Sequence, residues 1–94
     1  MMSGVGEALV TQTPPIPTNA DARLATEPTP TAGTLAAPQT NAGYVEVFTG
    51  NTSARWEPGQ QFSFRTIDLS KFRFRSENGT ETMIWAGEAG GIGQ

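Results

Sequence analysis

The chain contains no cysteine and no histidine among its 94 residues. Without cysteine, neither a disulfide bond nor a thiolate metal site can stabilise a small hydrophobic core. Without histidine, the commonest general base and the commonest metal ligand are both missing. These absences argue against an enzyme, and we expect no catalytic residue, no metal site and no cofactor.

Basic charge and long apolar runs are also scarce. Six lysine and arginine residues stand against nine acidic residues, which gives a net charge of −3. Proteins held on nucleic acid by phosphate neutralisation are usually basic overall, so this balance argues against a nucleic-acid partner. No segment approaches the roughly 20 apolar residues of a membrane-spanning helix, and the first residues lack the parts of a secretory signal. We expect a protein made and used without export and without a membrane partner.

Aromatic residues and prolines are separated along the chain. All eight aromatic residues lie between Tyr44 and Trp85, and six of the seven prolines lie before Gln39. The boundary falls at residues 41–43. It divides the chain into an extended arm (residues 1–42), a β-module (residues 43–87) and a glycine-rich tail (residues 88–94) that we predict to be flexible.

The predicted arm is rich in threonine, alanine and proline, and its aliphatic residues are isolated. Proline fixes φ, lacks an N–H and favours extended backbone before it, so we expect neither a long helix nor a central strand here. A disordered linker is the alternative interpretation of this composition. Since the aliphatic side chains have no local core to enter, we predict that they bind partner subunits. They are Val5, Leu9, Val10, Ile16, Leu24 and Leu35.

Alternating apolar residues and turn signals predict about five short strands in the module, at residues 44–48, 54–56, 61–65, 71–75 and 82–86. Pro58 and Gly59 occupy the central positions that a type II turn prefers. Asn78 and Gly79 favour the type I′ turn of a hairpin, so residues 72–75 should pair with residues 82–86. The predicted fold is therefore all-β, a small antiparallel β-sandwich or barrel-like module with a long extended N-terminal arm.

The core of this module is predicted to be small and to consist mainly of aromatic and aliphatic strand residues. The candidates are Val45, Val47 or Phe48, Trp56, Phe62, Phe64, Ile67, Leu69, Phe72, Phe74, Ile84 and Trp85. An isolated core of this size is marginal. We therefore expect the chain to form a homo-oligomer, preferably a trimer.

A cluster of four cations is the main electrostatic feature of the sequence, formed by Arg65, Lys71, Arg73 and Arg75. Neighbouring residues of a strand face opposite ways, so the phenylalanines between these cations should enter the core while the cations face an acidic partner or solvent. Binding of single-stranded nucleic acid, with the rings stacking on bases, is the alternative. Beside this cluster, Asp68 and Ser70 are predicted to form a turn in which their side chains bond to nearby backbone.

A turn sequence followed by alternating polar and aromatic residues occurs twice in the module. Pro-Gly-Gln precedes Phe62 and Phe64, and Asp-Leu-Ser precedes Phe72 and Phe74. With the strand at residues 45–48, this pattern resembles the small β-domains of accessory virion proteins in tailed bacteriophages. The resemblance implies a capsid cement or decoration protein on the surface of a virion, made in the host cytoplasm, with the major capsid protein or other virion subunits as partners. A minor head-tail or tail component, acting as an adaptor or as a receptor- or glycan-binding module, is the alternative.

Overall fold

The computed structural model describes residues 7–89, with the side chains of residues 10–88. Its elements are the strands β1 (Glu7–Gln12), β2 (Pro30–Ala36), β3 (Val45–Thr49), β4 (Thr52–Trp56), β5 (Gln61–Asp68), β6 (Phe72–Ser76) and β7 (Ile84–Ala89), with a short 3-10 helix (Leu69–Lys71) between β5 and β6. No helix among the described residues has the length and apolar character that crossing a membrane requires.

The strands form two antiparallel sheets. One sheet has four strands in the order β1-β7-β2-β5, and the other has three strands in the order β4-β3-β6. Their facing sides enclose one apolar core, so the predicted all-β sandwich class is confirmed. The described residues contain seven strands where the sequence predicts about five.

The core lies between the sheets, where alternate residues of each strand point inward. Leu35 and Trp85 of the four-stranded sheet are fully buried against Val45 and Phe74 of the three-stranded sheet. Trp85 also stacks on Phe64 with ring centroids 6.3 Å apart. Each fully buried side chain of this size contributes roughly 1.5–3 kcal/mol relative to exposure, so residues from before and after position 42 stabilise one common core.

The prediction that the first 42 residues form a separate arm is wrong for residues 7–42. β2 lies inside the four-stranded sheet between β7 and β5, and β1 pairs with β7. Residues 13–29 run along β6, where Ala22 and Phe74 exchange two backbone hydrogen bonds of 2.9 Å. The prolines permit this path because they lie in connections or, for Pro30, at the first position of β2, where a missing N–H is tolerated.

The predicted hairpin between β6 and β7 is also wrong. β6 pairs with β3, while β7 pairs with β1 and β2, so residues 77–83 cross from one sheet to the other. Gly79 has the expected positive φ, at +81°, but the buried carboxylate of Glu81 organises the crossing. It accepts hydrogen bonds from the Asn78 backbone N–H (2.9 Å) and side-chain amide (2.7 Å) and from the Thr80 N–H (3.4 Å). The tail prediction fails at residues 88 and 89, which belong to β7, and residues 90–94 lie outside the described part.

A tight turn joins β3 to β4, and the predicted turn at Pro58 and Gly59 is confirmed. Gly50 and Asn51 join β3 to β4, with Thr49 opposite Thr52 and a φ of +58° at Gly50. At the next turn the N–H of Gln60 donates to the carbonyl of Glu57 at 3.0 Å, and Gly59 has the positive φ that a type II turn requires, at +92°. This second turn carries the chain from β4 in one sheet to β5 in the other, so two edge strands become neighbours across the sandwich.

Candidate functional site

The edges of the two sheets differ in how they are covered. Residues 13–29 cover β6, since the N–H of Ser76 donates to the carbonyl of Pro17 at 3.0 Å and its hydroxyl donates to the carbonyl of Ile16. β4 and β5 end their sheets next to each other, and no strand within residues 7–89 pairs with their outer edges. We call these two strands and the space between them the open edge. Unpaired strand edges readily add strands from other chains.

An apolar cleft of about 300 Å³ lies within the open edge. Ala54 and Trp56 of β4 line one side, Phe64 of β5 lines the other, and Val47 and Phe72 also contribute. The cleft follows from the residue sizes in β4. Its two inward positions before Trp56 carry only threonine and alanine, and both residues are exposed although they face the space between the sheets.

Phe62 lies on β5 and is 50% exposed, although the sequence places it in the core. Its ring meets Trp56 edge-on with centroids 4.9 Å apart. That contact covers only part of the ring, which explains why the core prediction fails here. Of the alternatives Val47 and Phe48, Val47 enters the core. Ile84 lies outside the buried core, because it occupies an outward position of β7.

The four cations predicted to form one cluster divide between the two sheets. Arg73 and Arg75 share the carboxylate of Asp21 at 3.2 and 2.7 Å, Arg65 lies on β5, and Lys71 ends the 3-10 helix. The single cluster is therefore wrong, because β5 and β6 belong to different sheets. The predicted alternation is right for β6, whose phenylalanines are buried while its arginines point outward.

The ion pairs of Asp21 connect residues 13–29 to the outward-pointing arginines of β6. Hydrogen bonding to Arg75, followed by Arg73, holds the pKa of Asp21 below its usual value despite some opposing desolvation. The two guanidinium groups also lie over the ring of Phe48, 5.2 and 5.9 Å from its centroid. Partly exposed ion pairs contribute about 0–1 kcal/mol each, so we assign this cluster to positioning the segment over β6.

Half of the six aliphatic residues predicted to bind partners instead pack within the protein itself. Three of them enter the core or pack against it: Ile16, Leu24 and Leu35. The partner-binding prediction is wrong for these three, because β2 and residues 13–29 close the sandwich. Val10 is 74% exposed on β1, so partner binding stays a prediction there. It also stays a prediction for Leu9, whose side chain is outside the described set, and for Val5, which precedes the described residues.

The Asp68-Ser70 turn forms as predicted. One carboxylate oxygen of Asp68 accepts hydrogen bonds from the Thr29 N–H (2.8 Å), the Ser70 N–H (2.9 Å) and the Ser70 hydroxyl (2.8 Å). The bond from Thr29, followed by those from Ser70, holds the pKa of Asp68 below its usual value. Nowhere in residues 7–89 do three acidic side chains lie close enough together to share a metal ion.

Three cations lie on or near the open edge: Arg55 on β4, Arg65 on β5 and Lys71 after β5. Within the described part of the chain, none of them forms an ion pair with a carboxylate. The guanidinium of Arg55 lies 4.2 Å from the centroid of the Tyr44 ring. Arg55 lies on the outer face of β4 with Glu46 of β3 opposite it, and no described strand lies on its other side.

Sequence reasoning missed the open edge, because which strands end a sheet depends on long-range pairing. The available signal was a pair of small residues that alternate with Trp56: Ala54 in the strand predicted at residues 54–56, and Thr52 just before it. Comparisons with protein-family models, with curated proteins and with solved structures find no match to this chain. The function of the open edge is therefore inferred from its own geometry.

Proposed function

We propose that this protein is a non-enzymatic structural protein that binds other protein subunits, acting as a capsid cement or decoration protein of a tailed bacteriophage. The observation that carries the proposal is the open edge, where an apolar cleft lies between the unpaired edges of β4 and β5. Apolar surface beside unpaired backbone groups favours contact with another protein chain. A partner that covers this edge would complete the sandwich and link the two proteins.

The distribution of aromatic side chains favours a cement protein over a receptor- or glycan-binding module. Four of the eight are buried: Trp56, Phe72, Phe74 and Trp85. Only Phe62 is exposed. A shallow sugar-binding face needs several exposed rings on which a ligand can stack, whereas this chain uses most of its rings for packing.

In this proposal the major capsid protein or another virion subunit supplies the covering surface. The resemblance of residues 45–48, 57–64 and 67–74 to accessory virion proteins supports a place on the outside of a capsid. Several copies, preferably trimers around symmetry axes, would each make weak contacts whose combined avidity is large. The exposed Val10 on β1, at the far side of the four-stranded sheet, offers a second contact for bridging neighbouring subunits.

Virus particles made without this protein test the proposal. They should assemble, yet release their genome at a lower temperature or under milder osmotic or chelator stress than complete particles. Mass spectrometry of complete particles should find many copies of the chain in a fixed ratio to the major shell protein. Particles that are equally robust but fail to attach to cells would overturn the cement role in favour of receptor binding.

A further inference from the structure

We infer that the open edge binds an extended acidic and apolar segment of a partner protein, which adds as a strand beside β4. Apolar side chains of that segment enter the cleft, and its carboxylates lie next to Arg55. The inference rests on the proposed function and specifies the partner's chemistry.

β4 is the better of the two strands of the open edge for adding a strand, and β1, which also ends its sheet, does not line the cleft. It pairs with β3 without a register shift from Thr52 to Trp56. β5 instead carries one extra residue relative to β2, since Gly33 pairs with Phe64 while Thr31 pairs with Ile67. Such a bulge disrupts the regular spacing of backbone donors and acceptors and blunts an edge. β4 keeps that spacing.

Cleft-facing and outward-facing side chains alternate along β4, and this alternation determines which side chains an added strand must carry. Ala54 and Trp56 face the cleft, and Arg55 lies between them on the outer face. A strand that extends the same sheet shares this alternation. Its cleft-facing side chains meet Ala54 and an apolar space of about 300 Å³, while its intervening side chains lie beside Arg55. Apolar residues at every second position are therefore required.

The charge of Arg55 determines which side chains are favoured at the outward-facing positions of the added strand. Arg55 has Glu46 of β3 opposite it on one side and no residue of the described chain on the other. Carboxylates in the added strand complement Arg55. A second copy pairing through β4 would instead bring two Arg55 side chains onto one face, so a different, acidic segment is favoured.

A synthetic nine-residue peptide in which glutamate alternates with valine is the probe. Hydrogen exchange of the full-length protein, measured by NMR with and without peptide, reports strand addition residue by residue. We expect the alternate β4 amides that do not bond to β3 to become protected, with the β1 amides unchanged. A matched peptide with lysine in place of glutamate should leave exchange unchanged.

Two variants locate the contact. Arg55→Glu should weaken binding of the glutamate peptide at least about tenfold, as expected for like charges side by side, and should gain binding of the lysine peptide. That gain also demonstrates that the variant is folded. Ala54→Phe should fill the cleft and abolish binding of the glutamate peptide, whereas Ala20→Phe, at an exposed alanine on the β6 side of the three-stranded sheet, should bind as the wild type does.

The outcomes separate this inference from the proposed function. If neither peptide protects β4, or if Arg55→Glu binds the glutamate peptide unchanged, the inference is overturned. If β4 becomes protected with rising protein concentration alone, the occupant is a second copy and the inference is likewise wrong. If the protein does not bind the glutamate peptide but still stabilises virus particles, only this inference is wrong. If the protein binds the peptide but does not change the stability of the particles, the cement role is wrong.

Discussion

Replacing Glu81 by glutamine should destabilise the protein far more than the same replacement at an exposed glutamate would. Glu81 is fully buried, and its carboxylate accepts hydrogen bonds from the Asn78 N–H, the Asn78 side-chain amide and the Thr80 N–H. Glutamine removes the charge and offers only one acceptor oxygen, so an amide donor faces the donors around it. Burial raises the pKa of Glu81, but these hydrogen bonds outweigh burial and hold its pKa below the usual value.

The magnitude follows from the number of bonds weakened. Hydrogen bonds to a charged group contribute about 1.5–3 kcal/mol, and glutamine retains part of the set, so we expect a loss of about 2–3 kcal/mol in the free energy of unfolding. Small domains have only about 5–15 kcal/mol in total. At about 4–8 °C per kcal/mol for a domain of this size, Tm should fall by roughly 10–20 °C.

Thermal unfolding followed by circular dichroism at neutral and at acidic pH is the assay. Because the folded-state pKa of Glu81 is lowered, its stabilising contribution is present above the unfolded-state pKa and is lost as pH falls through the folded-state pKa. The difference between wild type and Glu81→Gln should therefore shrink in acid. Glu88→Gln, at an exposed position, is the control and should match the wild type. A Glu81→Gln variant as stable as the wild type, or a difference that is the same at both pH values, would refute the role assigned to this carboxylate.

Three further variants test the fold. Gly87→Ala should cost about 1–3 kcal/mol by overpacking, since a Cβ there would lie 2.1 Å from the carbonyl oxygen of Ala32. Urea unfolding checks this, with Ser53→Ala, at an exposed position of β4, as the control that should match the wild type. A fragment of residues 43–94 should be unfolded by circular dichroism because it lacks β2, and a folded fragment would contradict the strand order. Asp21→Asn should cost no more than about 1 kcal/mol, and less at high salt; a much larger loss would mean that its ion pairs, and not Ile16 and the backbone bonds, hold residues 13–29.

The strands of the module could be predicted because their signals are local. Alternating apolar and polar residues indicate β3 and β6. The positive φ values of Gly50 and Gly59 belong to turns that are determined by two to four neighbouring residues. Pairing is not local. The Asn78-Gly79 sequence predicts a hairpin, yet Glu81 stabilises a crossing between sheets, and only the tertiary structure determines which of the two forms.

β2 escaped prediction because its inward residues do not look like a core strand. Thr31, Gly33 and Leu35 share one face, and only Leu35 is large and apolar. Gly33 lies opposite Gly87 of β7, where an added Cβ would meet backbone atoms at 2.3 and 2.5 Å. This close approach requires glycine in both strands, and glycine weakens the sequence pattern of a strand. The open edge could not be predicted either, because it depends on the strand order of both sheets, including the position of β2 between β7 and β5.

The central claim is that the chain stabilises a viral shell through the open edge, and adding protein back to particles that lack it tests this most directly. The measurement is the temperature at which such particles release their genome after addition of wild type, Ala54→Phe or Ala20→Phe. We predict that wild type and Ala20→Phe raise this temperature to that of complete particles, while Ala54→Phe leaves it low. Equal restoration by all three proteins, or by none of them, would contradict the account.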